Sequence, residues 1–160
     1  MWKKIALLSL LMSVALFAKN SIKDIVLSKA VFQEVFEWKN PSYRVRKIVP
    51  ATKAAHRGSV LIYVNQIVNT SYSTKRQVVI DNPIPYGTAY LRGTSSCEGV
   101  CKMLYSIDGG KTYADSKDLF VIYGTTKRLA KGSEYTHIKY IFSEIPPHAK
   151  IRMAFKAVLK

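Results

Sequence analysis

Lys150-Ile151-Arg152-Met153-Ala154-Phe155-Lys156-Ala157-Val158-Leu159-Lys160 closes the chain in strict alternation. Ile151, Met153, Phe155, Ala157 and Leu159 fall on one side, and Arg152, Lys156 and Lys160 on the other. A period of two marks a β-strand with one buried and one solvated face. The earlier stretch Ser59–Asn69 places Val60, Ile62 and Val64 on one face and Leu61, Tyr63 and Ile67 on the other. That pattern predicts a central strand buried on both sides.

Working outward, Gln77–Asp81, Thr88–Leu91, Met103–Ile107, Leu119–Tyr123 and Tyr135–Phe142 read as further short strands. Tyr43–Val49 alternates basic and apolar residues until Pro50 stops it. Asp24–Phe36 is long and rich in β-branched residues, consistent with one strand or two. Gln33 and Glu34 break its alternation and leave a helix at its end open. Turn residues separate the segments, and no helical period lasts more than a couple of turns. The expectation is an all-β antiparallel sandwich forming one domain over residues 19–160.

Ahead of that domain stands Met1-Trp2-Lys3-Lys4, then the nearly unbroken apolar run Ile5–Phe17, then Ala18 and the polar pair Lys19-Asn20. A positive head, an apolar core and a small residue at the cut are the parts of a secretory signal peptide, here residues 1–18. The core is about 13 residues, short of the roughly 20 that a membrane-spanning helix needs. Cleavage after Ala18 is preferred, and cleavage after Ala15 stays open because Leu16 is bulky. The mature chain is expected in the periplasm or at the cell surface.

The formal charge of +15 loses two units with Lys3 and Lys4. No acid lies between Glu37 and Asp81, where Lys39, Arg44, Arg46, Lys47, Lys53, Arg57, Lys75 and Arg76 all fall. Such a face would suit lipopolysaccharide, acidic glycan, membrane headgroups or nucleic acid. Within it, Trp38-Lys39-Asn40-Pro41-Ser42-Tyr43-Arg44-Val45-Arg46-Lys47 interleaves aromatics and cations. Lys39, Tyr43, Arg44, Arg46, Lys47 and Arg57 are therefore candidate contacts for an anionic ligand. The competing reading is an exposed hairpin whose aromatics cover the core edge.

Cys97-Glu98-Gly99-Val100-Cys101 reads as a structural disulfide in an oxidising compartment. An extended segment would hold the two cysteines about 13 Å apart, so the chain must turn at Gly99. A zinc site would need two further ligands from His56, His137 and His148, which show no metal-like spacing.

Asp81-Asn82-Pro83-Ile84-Pro85-Tyr86-Gly87 ends a strand, because neither proline donates to a ladder. Asp81 and Asn82 are expected to hold backbone N–H groups there, with Gly87 supplying the turn. Ser106-Ile107-Asp108-Gly109-Gly110-Lys111-Thr112-Tyr113 matches the Asp-box pattern. It predicts a hairpin held by Asp108 and Gly110, with Thr112-Tyr113 starting the return strand. No nucleophile elbow, glycine-rich phosphate loop or telling pair of carboxylates is present, and no cofactor is implied.

Gly58–Thr70, with its glycine turn, central Tyr63 and closing Asn69, resembles the bacterial conserved-repeat domain (domain of unknown function eleven). Val79–Leu91 is similar to that family's Asp-x-x-Pro-x-Gly-x-x-Tyr-Val segment, and Tyr140–Phe142 with Ile151–Leu159 looks like its last two strands. Arg57 stands where the family usually has proline, and Pro147-His148 where it has Pro-Gly. The resemblance spans about 100 residues and implies an immunoglobulin-like sandwich on an exported protein. The function expected is a non-enzymatic module for binding or structural association, partnered by another envelope or surface protein. The alternative is a binder of anionic polymer, and a secreted hydrolase ranks third.

Overall fold

The computed structural model describes residues 24–51 and 55–160. The export signal read in residues 1–18 lies outside the described residues. Among these the strands are β1 (Ile25–Asn40), β2 (Tyr43–Pro50), β3 (Val60–Asn69), β4 (Lys75–Pro83), β5 (Thr88–Tyr90) and β6 (Ser96–Cys97). They continue with β7 (Lys102–Ser106), β8 (Phe120–Tyr123), β9 (Thr126–Leu129), β10 (His137–Ile145) and β11 (Lys150–Leu159). All pairings are antiparallel.

The larger sheet runs β2-β1-β3-β11-β5, with β6 also on β11, and the smaller runs β4-β10-β7. The two-sided strand read in the sequence is β3, flanked by β1 and β11. Its register with β11 sets Tyr63 opposite Phe155 and Ile67 opposite Ile151. The Tyr63 and Phe155 rings stack at 5.0 Å between centroids. From the smaller sheet Val78, Ile80, Ile138, Tyr140 and Phe142 pack into the same core, which makes the molecule an all-β sandwich. Each large apolar side chain buried there contributes about 1.5–3 kcal/mol before entropy is charged against it.

Asn69, wholly buried at the end of β3, joins the two sheets. Its amide nitrogen lies 2.8 Å from the Ser73 carbonyl, 2.9 Å from that of Pro146 and 3.1 Å from that of Ile145. Its side-chain oxygen accepts from the Ser71 N–H and hydroxyl. A buried amide with this many partners fixes the β10–β11 turn against β3. Within that turn His148 adopts φ +56°, the left-handed region that favours glycine.

Three sequence expectations change. β1 is one strand of 16 residues with no terminal helix. Glu34 faces outward, where Lys156 meets it, so the strand continues through the break in alternation. β6 and β9 are additional short strands, too brief to show a period. Thr112-Tyr113 does not begin a strand; the return is the single bridge Tyr105–Ala114. The Asp108 carboxylate accepts from the Thr112 N–H at 3.0 Å, and the chain curls around it instead of reversing in a tight hairpin.

One open side of the sandwich is closed by tyrosines. Tyr90, Tyr105 and Tyr135 pack ring to ring at 5.1–5.9 Å. The Tyr90 and Tyr105 hydroxyls converge on Ser95 Oγ at 2.9 and 2.5 Å. Burial pushes the Tyr105 phenol up to about 12, and burial raises Tyr140 as well. The unfolded chain releases these protons near the ordinary value of 10.0, so it binds fewer protons than the folded chain above that pH. Stability is therefore expected to be full below pH 10 and to fall between about pH 10 and pH 12. Phenolate absorbance at 295 nm, followed with circular dichroism, should show the late tyrosines ionising together with loss of the fold; early, non-cooperative titration of every tyrosine would contradict this.

Candidate functional site: a projecting basic and aromatic ribbon

β1 pairs with β3 only through Ile25–Gln33, and with β2 only from Phe32 onward. Beyond Gln33 the two strands run on as a two-stranded ribbon, paired to each other and to no third strand among the described residues. Glu34–Asn40 at about 3.3 Å per residue gives it a length of about 20 Å. Asn40-Pro41-Ser42 makes the tip. The Asn40 side-chain oxygen accepts from the Ser42 and Tyr43 N–H groups at 2.9 and 3.2 Å, an Asx turn that ends β1.

Register decides what each face carries, because cross-strand partners share a face. Phe36 opposes Arg46, Trp38 opposes Arg44, and Glu34 opposes Ile48. One face therefore gathers Phe36, Trp38, Ile48, Arg44 and Arg46. The Arg44 guanidinium sits 4.5 Å over the Phe36 ring and 6.0 Å from the Trp38 ring centroid. The other face carries Glu37, ion-paired with both Lys39 and Lys47. The Lys47 ammonium, with Lys39 adding to it, holds the Glu37 carboxyl below the usual range. Each face thus carries two cations and one acid, with Glu34 at the root of the Arg44–Arg46 face and Glu37 midway along the other. Arg44 makes no ion pair with any described residue.

Phe36, Trp38, Tyr43 and Ile48 are 55, 64, 53 and 57 % exposed. These side chains do not cover the core edge, which sets aside the competing reading of the aromatic run. The ribbon is tied down at its root. Glu34, its side chain 9 % exposed, meets Lys156 Nζ at 2.5 Å and Arg46 Nη1 at 3.4 Å. This cluster links β11, β1 and β2 across the outer face of β3.

Lys39, Tyr43, Arg44, Arg46 and Lys47 thus come together. Arg57 does not join them: it is exposed in the turn before β3, beside Gly58 at φ +89°. Sequence reasoning missed Phe36 and Ile48, which lie outside the quoted run and join it only through the register. It also missed the root contact at Glu34, whose one local signal was the break in alternation.

The remaining sequence candidates serve the framework. Cys97 and Cys101 are joined, their Cα atoms 6.6 Å apart, which leaves neither sulfur for a metal. No group of histidine, cysteine and acidic side chains placed to hold a metal occurs among the described residues. Asp81 does not hold the backbone of the exit. Its carboxylate accepts from the Tyr113 hydroxyl at 2.7 Å, under a Lys139 ammonium 3.3 Å from that ring's centroid. Asp81 still belongs to the ladder, opposite Lys139. Asn82 accepts no backbone N–H among the described residues, and its buried amide nitrogen is also without a partner. β4 does end at Pro83, and Pro85 and Gly87 lie in the turn that follows, Gly87 at φ +79°. Asp108 accepts from Ser106 Oγ, the Lys111 and Thr112 N–H groups and Thr112 Oγ1, and those hydrogen bonds hold its carboxyl far below the ordinary range. Gly110, at φ +83°, passes against Tyr113 and His137.

No described helix is long and apolar enough to cross a membrane. In comparisons of sequence and structure, no family model, curated protein or solved structure matches the chain.

The root predicts a measurable coupling. Glu34→Ala should lower stability in urea unfolding by about 1–2 kcal/mol, below the range for a fully buried pair because both cations stay partly hydrated. Combined with Lys156→Met, the two losses should be clearly less than additive. Additive losses would show that the carboxylate does not hold β1 to β11.

Proposed function

We propose that the chain is an exported, immunoglobulin-like, non-enzymatic module of the bacterial envelope that binds an anionic envelope component through the β1–β2 ribbon. The observation that carries this reading is the ribbon face of Phe36, Trp38, Ile48, Arg44 and Arg46, solvent-exposed and projecting beyond the sandwich. A protein that serves only as a spacer gains nothing from exposing two aromatic rings, an aliphatic side chain and two guanidiniums on one face. Large exposed apolar side chains beside arginine are the composition of binding surfaces. Export is supported by the apolar leader and by a disulfide, which persists in oxidising compartments. The sandwich architecture and the resemblance at Gly58–Thr70 and Val79–Leu91 support the immunoglobulin-like class.

The two faces of the ribbon sharpen the test. Chain recovered from the periplasm of an expressing bacterium should be retained on immobilised heparin and released by salt, since exposed charges act through a screened field. Arg44→Glu with Arg46→Glu should abolish retention, whereas Lys47→Glu, on the face where Glu37 already neutralises it, should weaken it less. Retention that persists in the double reversal would place the anion site elsewhere on the basic surface.

A further inference from the structure

We infer that the anionic component is a lipid bilayer surface, with the ribbon lying at the headgroup level as an amphipathic membrane-docking hairpin. The inference rests on the proposed anion-binding role of the ribbon and adds what kind of anion it meets.

Three features favour a bilayer over a soluble polyanion. First, Arg44 occupies a Phe36 ring face at 4.5 Å and lies within 6.0 Å of the Trp38 ring. A base or sugar ring binds by stacking on an open aromatic face, and a guanidinium in that place competes with it. At a bilayer the same pairing is useful, because the rings enter the acyl boundary edge-on while the cation remains at phosphate depth. Second, Ile48 stands on this face with no stacking capacity, 57 % exposed. Aliphatic area serves insertion and does nothing for a strand of sugars or nucleotides. Third, aromatic, aliphatic and cationic side chains share one face of a projecting element, with Glu34 only at its root, while the Glu37–Lys39–Lys47 ion pairs occupy the other. On such a face the cations can meet anionic headgroups while the apolar side chains beside them meet the acyl boundary.

Depth follows from the backbone. Among the described residues no strand neighbours the outer edge of β2 along Tyr43–Val49, and exposed strand edges do not enter hydrocarbon. The ribbon therefore stops among the headgroups, roughly 5–10 Å into the interface. The same edge carries Arg44, Arg46 and Lys47, charged residues that discourage a further strand from pairing there. A second copy of the chain is correspondingly disfavoured as the occupant.

Trp38 makes the test direct, because the chain has two tryptophans and Trp2 falls within the proposed export signal. Chain recovered from the periplasm is mixed with vesicles of phosphatidylcholine containing roughly a third phosphatidylglycerol, and with vesicles of phosphatidylcholine alone. The expected result is flotation with the anionic vesicles only, with Trp38 emission moving to shorter wavelength and quenched by brominated acyl chains. Phe36→Ala with Ile48→Ala should reduce vesicle partitioning by about tenfold or more. Both substitutions lie at exposed sites, and an unchanged thermal transition would show that the sandwich is intact. Heparin retention without flotation would overturn the lipid inference and leave the anion-binding reading standing. Absence of both would overturn both. Flotation unaltered in the double variant would remove the ribbon as the inserting element. A concentration-dependent dimer abolished by the double variant, without flotation, would assign the face to a second copy instead.

Discussion

The ladder between Val60–Asn69 and Lys150–Leu159 is the constraint from which the rest of this structure follows. With β3 and β11 locked in register, Tyr63, Phe155, Ile67 and Ile151 share the inner face. That face needs a second sheet, and β10 supplies it with Ile138, Tyr140 and Phe142. A slip of one residue would turn every one of these side chains into water, so the register is strongly specified. Asn69 then fixes the lower end, because its buried amide is satisfied only if β3, the Ser71–Ser73 loop and the Pro146 turn meet at one point. The tyrosines around Ser95 close a side that the short strands β5 and β7 leave open.

The ribbon is a consequence of a length mismatch in the same ladder. β1 has 16 residues and β3 has 10, so β1 outruns its partner. The excess cannot rest on the second sheet, and β2 pairs it on one side only. On this arm Phe36 and Trp38 continue the outer face of β1 and Glu37 the inner one, and all three are exposed. Glu34, bound by Lys156 and Arg46 at the root, gives that arm a fixed departure from the sheet instead of a loose hinge. Framework and contact surface are thus built from one continuous strand, with the boundary close to Gln33.

Much of the framework was legible in the sequence where a period of two ran long enough. β3 and β11 could be read residue by residue, since every second side chain had to be apolar to fill the core. The helix left open at Gln33–Phe36 was resolved by Glu34, a polar residue that belongs to the outer face. β6 and β9, two and four residues long, carry too few positions for any period to appear. The Asp108 turn was legible as a motif, but its shape was not. Several hydrogen bonds to one carboxylate curl the chain more widely than a two-residue turn, and the spacing of residues does not reveal that. At the exit after β4 the prolines gave the right stop, while Asp81 turned out to serve Tyr113, a partner 32 positions away. The ribbon's composition was visible from Trp38 to Lys47. Its division between an aromatic–arginine face and a lysine–glutamate face was not, because that depends on which residue of β2 faces Phe36.

The central claim is that the sandwich and the ribbon are separable, the first supplying stability and the second the contact. Val35 and Lys47 already face each other in the ladder. Replacing Phe36–Arg46 by Asn-Gly would therefore join them through a tight hairpin and remove the projecting arm. The account predicts a chain that unfolds cooperatively near the wild-type midpoint yet is no longer retained on heparin. A shortened chain that fails to fold, or one that folds and still binds, would contradict it.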